Sequence, residues 1–203
     1  MSKTRPILFS TQMVRALLDG SKTQTRRVVK ARADWAMGKR CILQPHELAG
    51  EVNQGEYSNC PFGQPGDQLW VKETTVNVED FGYLGPVWVE SEHGRNVLEY
   101  GLAPSEDDCT EVEPEDLRLR PSIFMPRAMS RITLEITRVR IERLQAINEV
   151  DAIAEGAHWA ACGSPQEGSH KAGYAQLWES INGPGSWDLN PWVWVIEFKR
   201  VPA

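Results

Sequence analysis

The apolar positions of this chain alternate between helical and strand spacing. "PILFS" reads as a short strand, and Ser10 is placed to cap a helix over "TQMVRALLDG", where Met13, Val14, Leu17 and Leu18 fall on one face and Gly20 ends the turn. "KTQTRRVV" then runs into extended structure. Between residues 31 and 64 only "CILQP" carries a strand pattern, and "GQPGD" marks a turn. "QLWVKETTV" reads as one strand and "VWVES" as another, while "PSEDDCTEVEPEDLRLRPS" lacks periodicity and reads as a mobile solvated loop.

The longest strand signal is "SRITLEITRVRIERL", where Ile132, Leu134, Ile136, Val139 and Ile141 are apolar. Their phase changes near Arg138, which predicts a bulge or bend. "NEVDAIAEG" predicts a short helix capped by Asn148 and stopped by Gly156, and "GYAQLWESING" a second, with Tyr174, Leu177, Trp178 and Ile181 on one face. "PWVWVIEFKRV" closes the pattern as a strand with Trp192, Trp194, Ile196 and Phe198 on one side. Long strands separated by short helices imply an α+β protein whose bent sheet closes towards a small barrel. The four aromatic and aliphatic residues of the last strand are read as its interior.

Composition narrows the function classes. The 203 residues, 41% hydrophobic with eight tryptophans, suffice for a single domain over 1–203. A formal charge of -6 argues against broad coating of duplex nucleic acid, which needs surplus Lys and Arg to displace counterions. Cys41, Cys60, Cys109 and Cys162 form no C-x-x-C pair, and no apolar run approaches the roughly 20 residues of a membrane span. A cytoplasmic protein with reduced thiols and no membrane partner is expected. His158 and Cys162 would meet on a helix, but two ligands do not make a zinc site, so no metal or other cofactor is expected. Trp35, Trp159 and Trp187 lie in less regular stretches, where an aromatic wall for a base is the alternative to core filling.

Within this acidic chain "GSKTQTRR" concentrates cations and hydroxyls with the spacing G-x-K-x-x-T-x-R. Taken by itself it is a cationic turn after a helix C-terminus. Together with "GDQLWV", the Glu-Gly helix end in "LQAINEVDAIAEG" and the closing strand "WVWVIEFKRV", the chain resembles the ASCH domain family of the PUA-like superfamily. That resemblance implies a compact β-barrel with flanking helices and a cleft for RNA or a modified nucleoside. Motif by motif it is similar to the small N(4)-acetylcytidine amidohydrolases, whose catalytic lysine, threonine and glutamate fall on Lys22, Thr25 and Glu155, and whose arginine falls on Arg27. It is also similar to longer phage and prophage ASCH proteins over most of its length. Regions near 31–60, 76–125 and 157–190 have no counterpart in the small enzymes, and Arg26 stands where they carry an apolar residue.

The resemblance implies a metal-independent hydrolase that removes acyl groups from the exocyclic nitrogen of cytidine, with Gly20, Arg26 and Arg27 assigned to substrate binding. The alternative is an RNA-binding or RNA-cleaving module, including a phage accessory protein. Lys22 acts either as base or as a fixed cation. As base it must fall from a pKa of roughly 10.4 to near 7, a difference of about 4 to 5 kcal/mol that requires burial or a neighbouring cation. A charged Lys22 with Glu155 moving the proton is the preferred division of labour. Glu155 falls in the last turn of its helix, where the dipole disfavours a carboxylate by roughly 0.3 to 1 kcal/mol, a local conflict of the kind found at working sites.

Overall fold

The computed structural model describes residues 2–30, 32–36, 39–103, 111–158, 160–162 and 164–201. The fold is α+β. Its main sheet contains β1 (Thr4–Leu8), β2 (Gln24–Val28), β5 (Gln68–Lys72), β9 (Thr133–Arg143) and β12 (Trp192–Val201), in the order β1-β5-β9-β12-β2. β1 runs parallel to β5, and the other pairs are antiparallel. Between β2 and β5 lie the hairpin β3 (Arg32–Ala36) and β4 (Lys39–Leu43), then helix α2 (Pro45–Asn53). A satellite sheet joins β6 (Thr75–Asn77), β7 (Val87–Trp88) and β8 (Arg118–Arg120), with helix α3 (Glu92–Tyr100) packed on it, and β10 (Ala160–Cys162) and β11 (Ser164–Ser169) pair as a separate hairpin.

The expected barrel does not close. β1 and β2 occupy opposite ends of the strand order and share no backbone ladder among the described residues. The physical reason is local. After β1 the chain enters helix α1 (Thr11–Leu18), and the gap is spanned by a side chain, Arg27, which donates through Nη2 to the Leu8 carbonyl. Among the described residues β2 therefore has no strand partner on its outer edge, which is lined by helix α5 (His170–Asn182) and Met13 of α1, while the end of helix α4 (Glu149–Ala154) bonds the residue before the strand.

Two apolar layers sandwich the sheet. Val14, Leu17, Leu48, Leu69, Val71, Leu134, Ile136, Val139, Trp194, Ile196 and Phe198 fill one face. Leu144, Ile147, Ala152, Tyr174, Trp178, Val193 and Val195 fill the other, so β12 is buried on both sides. The alternation read from the last strand is thus realised as core. The bulge in β9 falls at Thr137, where Ile136 pairs with Phe198 and Arg138 with Glu197. One extra residue restores phase: Leu134, Ile136 and Val139 stay in the first layer, leaving Arg140 and Glu142 on the side of α4.

Caps hold where the sequence predicts them. Ser10 accepts from the Met13 amide, and Asn148 accepts from the Asp151 amide, fixing the starts of α1 and α4. Ile181, expected on the apolar face of α5, is half exposed at its far end. Two helices were not predicted. α2 begins with Pro45 after Gln44, whose amide donates to the Glu47 carboxylate, and it buries Leu48 and Val52. α3 is capped by Ser91 and buries Val97. "QLWVKETTV" is two strands, since Glu73 turns inward to pair with Arg131 and the chain passes from the main sheet to the satellite sheet. "VWVES" contributes only Val87 and Trp88 to a ladder.

The acidic loop also departs from expectation. Val112 is buried and bridges to Leu102, and residues 118–120 form β8; residues 104–110 of that loop lie outside the described set. The satellite sheet has its own cluster of Val76, Val78, Val87, Val97, Leu102 and Val112. It is tied to the main sheet by Arg131 on Glu73 and by Arg15 on Glu90. No described helix is long and apolar enough to cross a membrane.

Leu134 is fully buried in the sheet centre whereas Leu84 is 96% exposed. Leu134→Ala is expected to lower unfolding free energy by about 2–5 kcal/mol and Leu84→Ala by less than about 0.5 kcal/mol, as read from urea denaturation.

Candidate functional site

Helix α1 ends at Gly20, whose φ of +81° suits glycine, and the chain turns so that the Lys22 amide donates to Ala16 O at 2.9 Å. The Thr23 amide then donates to Ala154 O at 2.8 Å, and Lys22 and Glu155 form an antiparallel bridge. Backbone bonds thereby clamp the start of β2 to the end of α4. The close approach depends on Gly156: a Cβ there would lie 3.0 Å from the Ala16 Cβ, and its φ of +76° already favours glycine.

Two segments 133 residues apart thus meet in a buried ion cluster. Lys22 Nζ donates to Glu155 Oε2 at 2.9 Å and to the Glu155 carbonyl at 2.8 Å. The second bond satisfies a carbonyl at the end of α4, which resolves the dipole conflict noted for Glu155. Arg26 Nη1 donates to Glu155 Oε1 at 3.0 Å, so each carboxylate oxygen accepts one charged bond. Arg26 Nη2 continues to Glu142 at 2.6 Å and Asp151 at 2.9 Å, and Arg140 joins Glu142, Asp151 and Glu197.

The side chains of Lys22 and Arg26 are wholly buried and that of Glu155 is 2% exposed. Burial lowers the Lys22 pKa, the attraction of Glu155 opposes it, and the nearby Arg27 and Arg26 charges lower it further, with a net fall below the ordinary value. Burial also pushes the Tyr174 hydroxyl well above its ordinary value, so Tyr174 is a neutral donor at neutral pH. For Asp151, burial alone would raise the pKa, but Arg140 and Arg26 outweigh it and hold the carboxyl below its usual range.

The cluster borders a slot of about 60 Å³ along the free edge of β2, lined by Thr25, Arg26, Arg27, Glu155 and Tyr174 among others. Thr25 is 1% exposed. The slot is continuous in its lining with a larger cavity of about 620 Å³, because Arg27, Val28 and Asn182 border both. Trp194, Phe62, Pro61 and Leu48 give the larger cavity apolar walls, and Asn59 and Lys30 add polar groups. Arg27 lies over the Phe9 ring at 5.4 Å, and its buried Nε has no hydrogen-bond partner.

Of the residues expected from sequence, Thr25, Glu155, Arg26 and Arg27 share the slot. Lys22 does not border it. It is fully buried and bonded to the Glu155 carboxylate that does border the slot. Gly20 borders neither cavity and serves the turn after α1. Tyr174, Glu142 and Asp151 were not anticipated as site residues; the alternation Arg140-Ile141-Glu142 beyond the bulge was the available signal. Trp187 packs against Tyr174 as core. Trp159 and the side chains of Trp35 and Cys162 lie outside the described residues, and His158 borders a separate surface cavity.

A buried carboxylate that bridges two cations can orient a water or hydroxyl beside it and exchange a proton with it. No protein-family model, curated protein or solved structure matches the chain.

Breaking the buried pair leaves an uncompensated charge. Lys22→Met and Glu155→Leu are each expected to cost about 3–5 kcal/mol in urea denaturation, and the double variant less than the sum of the two. Acid sensitivity follows from Asp151. Its folded pKa is depressed, so its contribution is fully present above the ordinary value of 3.8 and is lost as pH falls through the lower folded value. Asp151→Asn is expected to be less stable near neutrality and to lose less further stability between about pH 4 and pH 2 than the native chain, as read from thermal midpoints.

Proposed function

We propose that this chain is a metal-independent amidohydrolase acting on N(4)-acylated cytosine nucleosides, built on an ASCH, PUA-like core. The observation that carries the reading is the convergence of Thr25, Glu155 and two arginines on one slot, with Lys22 fixing the carboxylate from behind. The motif residues Thr25, Glu155, Arg26 and Arg27 border the slot, while Lys22 and Gly20 do not, and the sheet is open where a PUA-like barrel would close.

In this reading the acyl group enters the slot and the pyrimidine occupies the larger cavity, since about 60 Å³ is too little for a base. Thr25 attacks the acyl carbonyl, or holds the water that does. Glu155 accepts the proton of the attacking hydroxyl and returns it to the exocyclic nitrogen as the C–N bond breaks; where Thr25 is the nucleophile, a water then cleaves the acyl-threonine ester, giving its proton back to the Thr25 oxygen through Glu155, so that by either route amide and water become carboxylic acid and amine. Arg27, with an unpaired Nε and a place in both cavity walls, stabilises the developing oxyanion. Lys22 remains a positioning cation. Together with Arg26 it holds both carboxylate oxygens, which fixes the rotamer of Glu155.

One observation favours the second reading, an RNA-binding module of the same family without hydrolytic activity. Lys22 does not border the slot, and its described hydrogen bonds go to Glu155 and not to Thr25. The two readings separate on salt dependence: polyanion binding weakens steeply with salt, whereas turnover of an uncharged nucleoside does not.

Thr25→Val keeps the side-chain shape and removes the hydroxyl. It is expected to reduce kcat/KM for release of cytidine from N(4)-acetylcytidine by at least about a hundredfold, and Glu155→Gln by a similar factor, each with a native-like circular dichroism spectrum. Native turnover in both variants would remove the catalytic assignment.

A further inference from the structure

The larger cavity carries more information than a room for a pyrimidine. Its volume of about 620 Å³ lies within the usual range for ligand sites, and its composition is uneven. Trp194 and Phe62 border the cavity with aromatic side chains, Trp194 from the core with 3% of its surface exposed. Asn182 donates through Nδ2 to the Trp178 carbonyl at 3.0 Å, which leaves Oδ1 to accept from an exocyclic amine. Arg27 closes the inner end, towards Glu155. At the other end of the same stretch of backbone stands Lys30, exposed and in no ion pair among the described residues. Among the described residues, those that border the cavity include two cations and no carboxylate, although Glu51 accepts a hydrogen bond from Asn59, one of the bordering residues.

We propose that the cavity takes a heterocycle carried on a phosphate ester, with Lys30 as the phosphate contact, so that nucleotides or nucleotide chain ends are bound in preference to free nucleosides, which remain weaker substrates. The inference rests on the function proposed above and specifies its substrate. β2 remains extended through Val29, whose amide donates to Trp192 O at 2.8 Å. At about 3.3 Å per residue, Lys30 lies roughly 10 Å beyond Arg27, a distance that a base edge and a 5′-phosphate can span together. A free nucleoside leaves the Lys30 ammonium to water, while a phosphate gains a charge-assisted bond there. Because Lys30 is exposed, that gain is screened by salt.

Calorimetric titration of the native chain and of Lys30→Met with cytidine, cytidine 5′-monophosphate and a short 5′-phosphorylated oligonucleotide beginning in cytidine tests this without requiring turnover. Lys30 is exposed, so the substitution leaves the fold intact. The monophosphate is expected to bind the native chain about fivefold to tenfold more tightly than cytidine at low salt, and Lys30→Met is expected to abolish most of that gap. An oligonucleotide that binds more tightly still identifies a chain end as the natural source, and one that binds equally identifies the free nucleotide. Equal affinity for cytidine and its monophosphate, a gap that survives Lys30→Met, or no binding of either ligand overturns the proposal. If the gap is present but N(4)-acetylated ligands are not hydrolysed, the phosphate site stands and the amidohydrolase reading falls. If hydrolysis occurs without the gap, the reverse holds.

Discussion

The Glu155 carboxylate, held out of water between the Lys22 ammonium and the Arg26 guanidinium, is the constraint on which the rest of this structure depends. An ionised carboxylate in such a place is costly unless paired, and here each oxygen has a cationic donor. The same contacts tie the start of β2 to the end of α4 and extend through Arg26 and Arg140 to β9 and β12. The cluster therefore sets both the position of the free sheet edge and the position of the acid beside it.

The arrangement also divides labour between two cations that the sequence places side by side. Gln24 and Arg26 point towards α4, where they meet Asp151 and Glu155, whereas Arg27 lies over Phe9 on the other side of the strand. Adjacent arginines thus serve different ends: Arg26 is consumed by the ion network, and Arg27 bridges the unclosed sheet and borders both cavities. The slot lies between the outer edge of β2 and helix α5, with Met13 of α1 and Glu155 completing its wall.

Much of the site was legible in the sequence because its parts are locally encoded. Ser10 and Asn148 announce their helices, Gly20 and Gly156 end them, and the phase change around Arg138 marks the bulge within one residue. The contact between Lys22 and Glu155 arises from closure over 133 residues, so local spacing does not give it and only the family resemblance put the two in one group. The burial of Lys22 behind its partner follows from that closure too. α2 escaped notice because Pro45 and Gly50 punctuate a nine-residue segment with only Leu48 and Val52 to mark a face. The open edge was missed because strand pattern reports which residues pair with a core, and not whether the last strand finds the first.

The most direct measurement is the fate of solvent oxygen. With N(4)-acetylcytidine in ¹⁸O-enriched water and the native chain free of added metal, mass spectrometry is predicted to find one heavy oxygen in the released acetate and none in the cytidine. Acetylated substrate recovered intact after prolonged incubation would contradict the account.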